Sequence, residues 1–130
     1  ISGVEVATVL NQNIETVFKT LVTIGKSKQH YIFMIPVAQE LDLKKAANIV
    51  SEKSIEMIHS KDLLPLTGYI HGGCSPIGMK KSFPIIIHHS IEDLEEIIFS
   101  AGKIGYQVKI KVEDLNKVIS YQIANITNEL

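Results

Sequence analysis

Residues 17–37 read VFKTLVTIGKSKQHYIFMIPV, two apolar runs separated by a short polar segment. β-Branched and aromatic side chains dominate residues 17–24 and 31–37, and such side chains favour extended strands. Residues 25–28, GKSK, follow the first run and have the composition of a turn. The pattern predicts two strands joined as a hairpin.

Short helices are predicted on both sides of this hairpin. Ahead of it, apolar residues within 2–11 predict a helix capped by Ser2, and residues 14–18 predict a further helical turn. Behind it, apolar side chains recur at helical spacing from Leu43 to Val50, after an Asp42 carboxylate that suits the helix dipole. A helix is also predicted over residues 60–66.

The second half of the chain predicts further strands, at residues 83–88, 97–100 and 106–112. Ser90, followed three residues later by Asp93, predicts a capping box between the first two of these strands. A C-terminal helix is predicted over residues 113–126. Strands interleaved irregularly with short helices indicate an α/β protein of the α+β type with a mixed sheet.

Composition limits the kind of protein this is. With 130 residues, 45% hydrophobic and 21% charged, the chain suits one globular domain over residues 1–130. The net charge of −1 gives no strong field toward nucleic acid or membrane. One cysteine excludes an intramolecular disulfide, and the N-terminus lacks signal-peptide features, so we expect a cytoplasmic protein. The apolar runs are too short to cross a bilayer.

The segment TGYIHGGCSPIGMKK, residues 67–81, has the highest glycine density in the chain. Glycines can adopt positive φ and bring bare N–H groups close to an anion or a carbonyl. The order GxxxxGK[ST] of a phosphate-binding loop is absent. From the glycines alone, a ligand-binding loop and a turn-rich connection remain equally open. Lys80 and Lys81 come at the end of this segment. They are interpreted either as contacts to phosphate groups or as solvated surface charges.

Several single residues can also be interpreted either as functional or as structural. Lys19 is a lone cation in an apolar strand, which either extends to solvent or is held in a pocket for use. Cys74 and Ser75 are potential nucleophiles without a recognisable activating base nearby in the sequence. The histidines do not have the spacing of a zinc motif, so we expect no metal and no cofactor, with His88 and His89 pointing to opposite sides of a strand end.

Three stretches, VFKTLV at 17–22, LDLKKAA at 41–47 and TGYIHGGCSPIGMKK at 67–81, together resemble the YbaK/EbsC family. That family is related to the editing domains of bacterial prolyl-tRNA synthetases. Residues 100–108, SAGKIGYQV, resemble the turn and strand that follow in the same family. The resemblance extends over nearly the whole chain in the right order, and the glycine-rich loop is its most specific part.

The resemblance implies a trans-editing deacylase that removes a mischarged small amino acid, most like the one that clears cysteine from proline tRNA. It implies a largely antiparallel, curled sheet surrounded by helices. The catalytic positions fall on Lys19 and Gly72, with no protein nucleophile. The substrate-binding positions fall on Gly73, Ser75, Pro76 and Gln107. The implied partners are the 3′ end of aminoacyl-tRNA and a prolyl-tRNA synthetase that delivers it.

The sequence also departs from the family pattern. The family's domain begins before the position of Ile1, so an N-terminal part with an aromatic pocket residue is expected to be missing, and the nearest residue here is Ser2. Gln107 replaces an aspartate that many members carry, and Ile104 replaces an arginine. Because Gln107 has no charge, a non-catalytic protein that binds an aminoacyl or nucleotide group in the same pocket is the alternative function.

Overall fold

The fold was obtained as a computed structural model, which describes residues 10–128. Within these residues, seven strands run as β1 (Phe18–Gly25), β2 (His30–Pro36), β3 (Ile55–Met57), β4 (Ile85–His88), β5 (Glu96–Ser100), β6 (Gln107–Lys111) and β7 (Gln122–Ala124). Three helices run as α1 (Leu43–Ile49), α2 (Ser60–Thr67) and α3 (Val112–Leu115). Short 3₁₀ turns cover Ile14–Thr16 and His89–Asp93.

The predicted hairpin organises the main sheet. β1 and β2 pair antiparallel from Phe18 opposite Pro36 to Ile24 opposite His30. The five-stranded sheet has the order β3-β1-β2-β4-β7, and β5 and β6 form a separate antiparallel pair. Among the described strands, three of five pairings are antiparallel and the two involving β4 are parallel. The expected mixed, largely antiparallel α+β fold is confirmed.

The main sheet is covered by apolar packing on both faces. One cluster packs Phe33 and Ile35 of β2 against Ala46 and Ala47 of α1. The other packs Phe18 and Met34 against side chains of β5 and α3. α1 begins as predicted, since the Asp42 carboxylate accepts hydrogen bonds from the backbone N–H groups of Lys44 and Lys45.

The C-terminal helix predicted over residues 113–126 is wrong. The helix stops at Leu115, and residues 122–124 form β7, which pairs in parallel with β4. Two contacts fix this segment, because the Ile126 backbone N–H donates to His88 Nδ1 at 3.3 Å and the Asp42 N–H donates to the Ile126 carbonyl at 2.8 Å. Pairing with the edge of β4 and burial of Ile126 outweigh the helical spacing of the sequence.

The predicted capping box at Ser90 is also wrong. His88 caps the 3₁₀ turn without a side-chain hydrogen bond, and in the described part of the chain the buried Ser90 hydroxyl has no partner. The expected side-chain directions at the strand end are confirmed, with His88 buried and His89 exposed. The helix predicted at 2–11 lies almost wholly outside the described residues. β3, which has only three residues, was not predicted from the sequence.

No helix among residues 10–128 is long and apolar enough to cross a membrane.

Candidate functional site

A cavity of about 380 Å³ opens beside the first half of β1. Its walls come from four segments that are far apart in the sequence. These are residues 17–22 at the start of β1, residues 57–60 before and at the start of α2, the glycine-rich loop at 71–74, and residues 99–107 around the β5–β6 turn, and Leu10, Val37 and Leu63 complete the lining. The fold therefore brings three of the four family-like stretches, VFKTLV, TGYIHGGCSPIGMKK and SAGKIGYQV, to one site, whereas LDLKKAA at 41–47 does not line the cavity.

Lys19 lies on the wall of this cavity. It follows the buried Val17 and Phe18 and pairs across the hairpin with the buried Ile35, so the sheet fixes its backbone position. The side chain is half-buried, and within residues 10–128 its ammonium forms no ion pair or hydrogen bond. A cation without a counter-ion in a largely apolar pocket can stabilise negative charge that develops on a bound group.

Thr20, the next residue, was missed by sequence reasoning. It lines the same cavity, and its Oγ1 atom is buried without a hydrogen-bond partner among the described residues. A buried hydroxyl left unpaired costs about 1–3 kcal/mol, so a ligand that bonds to it recovers that cost. The only signal in the sequence was a second polar side chain within an apolar strand.

Of the glycine-rich loop, His71, Gly72 and Cys74 line the cavity. Gly72 has a φ of +85°, a conformation that glycine adopts without steric cost. Gly73, Ser75 and Pro76 are buried behind the cavity wall rather than in it. The Ser75 hydroxyl accepts a hydrogen bond from the Ile77 N–H at 3.2 Å, so it stabilises the loop.

The loop packs directly against the turn that connects β5 and β6. A Cβ atom on Gly73 would lie 3.3 Å from the Ile104 backbone nitrogen, and one on Gly102 would lie 2.7 Å from Cε1 of Tyr69. The Tyr69 hydroxyl in turn donates to the Ile77 carbonyl. Glycines at these two positions allow the loop and the turn to lie against each other, which sets the shape of the cavity.

Gln107, at the start of β6, reaches the cavity from the turn side. Its Oε1 atom accepts a hydrogen bond from Nε2 of Gln12 at 2.7 Å. No acceptor among residues 10–128 bonds the side-chain amide N–H groups of Gln107, so this position offers a ligand a donor where an aspartate would offer an acceptor. His59, His71, Ser100, Lys103 and Tyr106 also line the cavity and were not predicted as site residues.

Cys74 is buried among Val22, Ile32 and Leu63. Burial raises the pKa of its thiol to about 11, which leaves almost no nucleophilic thiolate at neutral pH. Within residues 10–128, no group of three or more histidine, cysteine or acidic side chains is arranged to hold a metal ion. The chemistry offered by the described residues is therefore a free cation, an unpaired hydroxyl and backbone groups around a pocket.

Solved structures share this fold. A crystal structure described as "a putative trans-editing enzyme for prolyl tRNA synthetase" superimposes with a TM-score of 0.86 at 22% identity, covering 98% of this chain and 80% of that one. The hypothetical protein APE2540 superimposes with a TM-score of 0.88 at 16% identity, covering 98% and 84%. These structures share the mixed, largely antiparallel α+β fold of this chain.

Sequence comparison gives the family. The model of the aminoacyl-tRNA editing domain matches residues 2–118. A protein of Enterococcus faecalis named "Putative Cys-tRNA(Pro)/Cys-tRNA(Cys) deacylase EbsC" is 47% identical over 113 residues, which are 87% of this chain and 69% of that protein. The chain belongs to the family of aminoacyl-tRNA editing domains, and the resemblance seen in its sequence is confirmed.

Proposed function

We propose that the protein is a trans-editing deacylase that cleaves the ester between a mischarged small amino acid and the 3′ end of tRNA, with cysteine on proline tRNA as the preferred substrate. The observation that carries this proposal is the Lys19 ammonium, which has no ion pair or hydrogen bond among residues 10–128 and lies on the wall of a cavity that also presents Gly72. The family of the chain supports the reaction, and the name of the Enterococcus relative supports the amino acid.

Lys19 acts electrostatically in this proposal. As the ester carbonyl is attacked, negative charge grows on its oxygen, and a cation held nearby stabilises that charge more than it stabilises the ground state. The backbone of the loop at Gly72 holds the carbonyl or the terminal ribose. The Thr20 hydroxyl and the Gln107 amide orient the remaining polar groups of the substrate.

The nucleophile comes from the substrate, as the resemblance implies for the cysteine-specific branch. The cysteinyl thiolate forms a bond to its own ester carbonyl carbon, and the bond from that carbon to the ribose oxygen breaks. The ribose oxygen takes a proton from water, and a second water later opens the cyclic thioester. The high pKa of Cys74 supports this assignment, because the protein thiol does not compete as a nucleophile.

Substitution of the two candidate nucleophiles is expected to spare catalysis. We expect Cys74→Ala and Ser75→Ala to keep turnover within about threefold of wild type, since neither group takes part in bond making. Ser75→Ala removes the acceptor for the Ile77 N–H and lowers the free energy of unfolding by about 1 kcal/mol. Steady-state deacylation and thermal melting measure the two effects. Loss of turnover in either folded variant would assign a protein nucleophile.

The test of the substrate assignment is amino acid release from a panel of charged tRNAs, with and without prolyl-tRNA synthetase. A net charge of −1 predicts weak non-specific binding of tRNA, so the synthetase is expected to raise the rate by delivering it. We place the reaction in the cytoplasm, where tRNA charging occurs. Release of other amino acids from their tRNAs, without release of cysteine from cysteinyl-tRNA, would overturn the proposed specificity.

A further inference from the structure

An exposed aromatic ring stands at the rim of the cavity. Tyr106 lines the cavity and still has 62% of its surface exposed. The Lys103 ammonium lies over its ring, 5.6 Å from the centroid. Aromatic rings open to solvent and accompanied by cations are the surfaces on which single-stranded nucleic acids stack their bases.

The turn that carries this ring is held firmly. The Ala101 N–H donates to the Tyr106 carbonyl at 2.9 Å, and the Tyr106 N–H donates to the Lys103 carbonyl at 3.0 Å. The close approach of Gly73 to the Lys103–Ile104 backbone fixes the turn against the glycine-rich loop. The backbone that carries Tyr106 is therefore in place before any ligand arrives, which lowers the entropic cost of binding.

We propose that Tyr106 stacks on the base of the 3′-terminal nucleotide of the aminoacyl-tRNA, with Lys103 supporting the ring. This inference rests on the proposed function. With the ester at Lys19 and Gly72, the base is separated from the ester by one ribose, and Tyr106 belongs to the same cavity lining as these two residues. Tyr106 is a large exposed aromatic side chain there, and the Gln107 amide beside it belongs to the same wall.

The kinetic test pairs a protein variant with a substrate variant. On a cysteinyl minihelix that ends in adenosine, we expect Tyr106→Ala to raise KM about tenfold, equivalent to about 1.4 kcal/mol. We expect kcat to change less than about twofold, because stacking is present in both ground and transition states. Tyr106→Phe retains the ring and is expected to keep the wild-type KM.

The second substrate carries the same ester on a terminal ribose that lacks its base. On this substrate, Tyr106→Ala and wild type are expected to have equal KM values, since the ring has lost its partner. A rise in KM that persists on the abasic substrate would mean that Tyr106 contacts the amino acid or ribose, and would overturn the proposal. An unchanged KM on the adenosine substrate would do the same.

Ile104→Ala is the matched control, because Ile104 is 65% exposed in the same turn but does not line the cavity. We expect its KM to equal that of wild type on both substrates. A tenfold rise for this variant as well would show that the turn is merely disturbed, and would overturn the specific role of Tyr106.

A binding readout separates this inference from the deacylase proposal. The chain contains no tryptophan, so Tyr106→Trp introduces a single indole at the rim. An uncharged RNA oligonucleotide ending in CCA is expected to quench its fluorescence, and the same oligonucleotide with an abasic 3′ end is not. Equal quenching by both, or none by either, would overturn the stacking proposal. Failure of the wild-type protein to cleave any ester would instead overturn the proposed function.

Discussion

Lys19→Ala is expected to lower the rate of ester cleavage at least tenfold while the protein remains folded. A tenfold loss corresponds to about 1.4 kcal/mol of transition-state stabilisation, a conservative figure for one charge in a water-poor pocket. The loss is expected in kcat, because the negative charge that the ammonium stabilises exists only as the ester reacts. Single-turnover deacylation with saturating enzyme measures this directly.

Lys26 offers a matched control for that substitution. It is an exposed lysine in the turn of the same hairpin, where its backbone N–H donates to the Ser54 carbonyl at 3.1 Å. Lys26→Ala removes the same charge from the protein and leaves the cavity untouched, so we expect wild-type kcat. Equal turnover of Lys19→Ala and wild type, with both folded, would remove Lys19 from the mechanism.

Gly72→Val is expected to abolish activity. Valine at a φ of +85° is strongly disfavoured, so the loop has to change conformation where it faces the ester. A Cβ atom at this position would lie 3.8 Å from Cγ1 of Ile104, an ordinary contact, so the backbone strain rather than the first added carbon carries the effect. Deacylation and circular dichroism of the variant measure activity and folding separately.

Gly25→Val is the control for a glycine that matters only to stability. A Cβ atom there would come within 2.6 Å of Glu52 Oε2, and the Glu52 carboxylate accepts hydrogen bonds from Ser27 and Tyr31. These bonds hold the pKa of Glu52 below its usual value, and all of them are disturbed when the carboxylate moves. We expect a lower melting temperature with unchanged kcat. Full activity in Gly72→Val as well would show that the glycine-rich loop only connects its neighbouring elements and has no role in catalysis.

Local patterns were sufficient to predict the central hairpin and α1. The run of β-branched side chains in residues 17–24, the turn after it and the Asp42 cap act within a few residues of one another, so they can be identified before the fold is known. The C-terminal strand could not be predicted in this way. Residues 122–124 become a strand because β4 offers an edge to pair with, and that edge comes from a segment more than thirty residues earlier in the chain.

The residues of the candidate site also fall into those that local sequence patterns predict and those that depend on tertiary contacts. Lys19 and Gly72 stood out, one as a cation in an apolar strand and the other in a glycine-dense loop, and the structure places both on one cavity. Ser75 and Pro76 are buried and do not line that cavity, because the loop leaves the cavity wall after Cys74. Tyr106 had no signal of its own, since its place at the rim depends on packing between Gly73 and the β5–β6 turn. Contacts of that kind are tertiary and leave no periodic trace in the sequence.

The most direct test of the proposed editing reaction compares two substrates, proline tRNA charged with cysteine and the same tRNA charged with serine. Amino acid release from both is followed in parallel time courses. The two esters are nearly isosteric, but a free thiol has a pKa near ~8.5 and is partly ionised at neutral pH, whereas a seryl hydroxyl is not. We predict much faster release of cysteine, at a rate that rises with pH as the substrate thiol ionises. Binding of the charged tRNA without release of cysteine, or equal rates on the two esters, would contradict thiol-assisted deacylation.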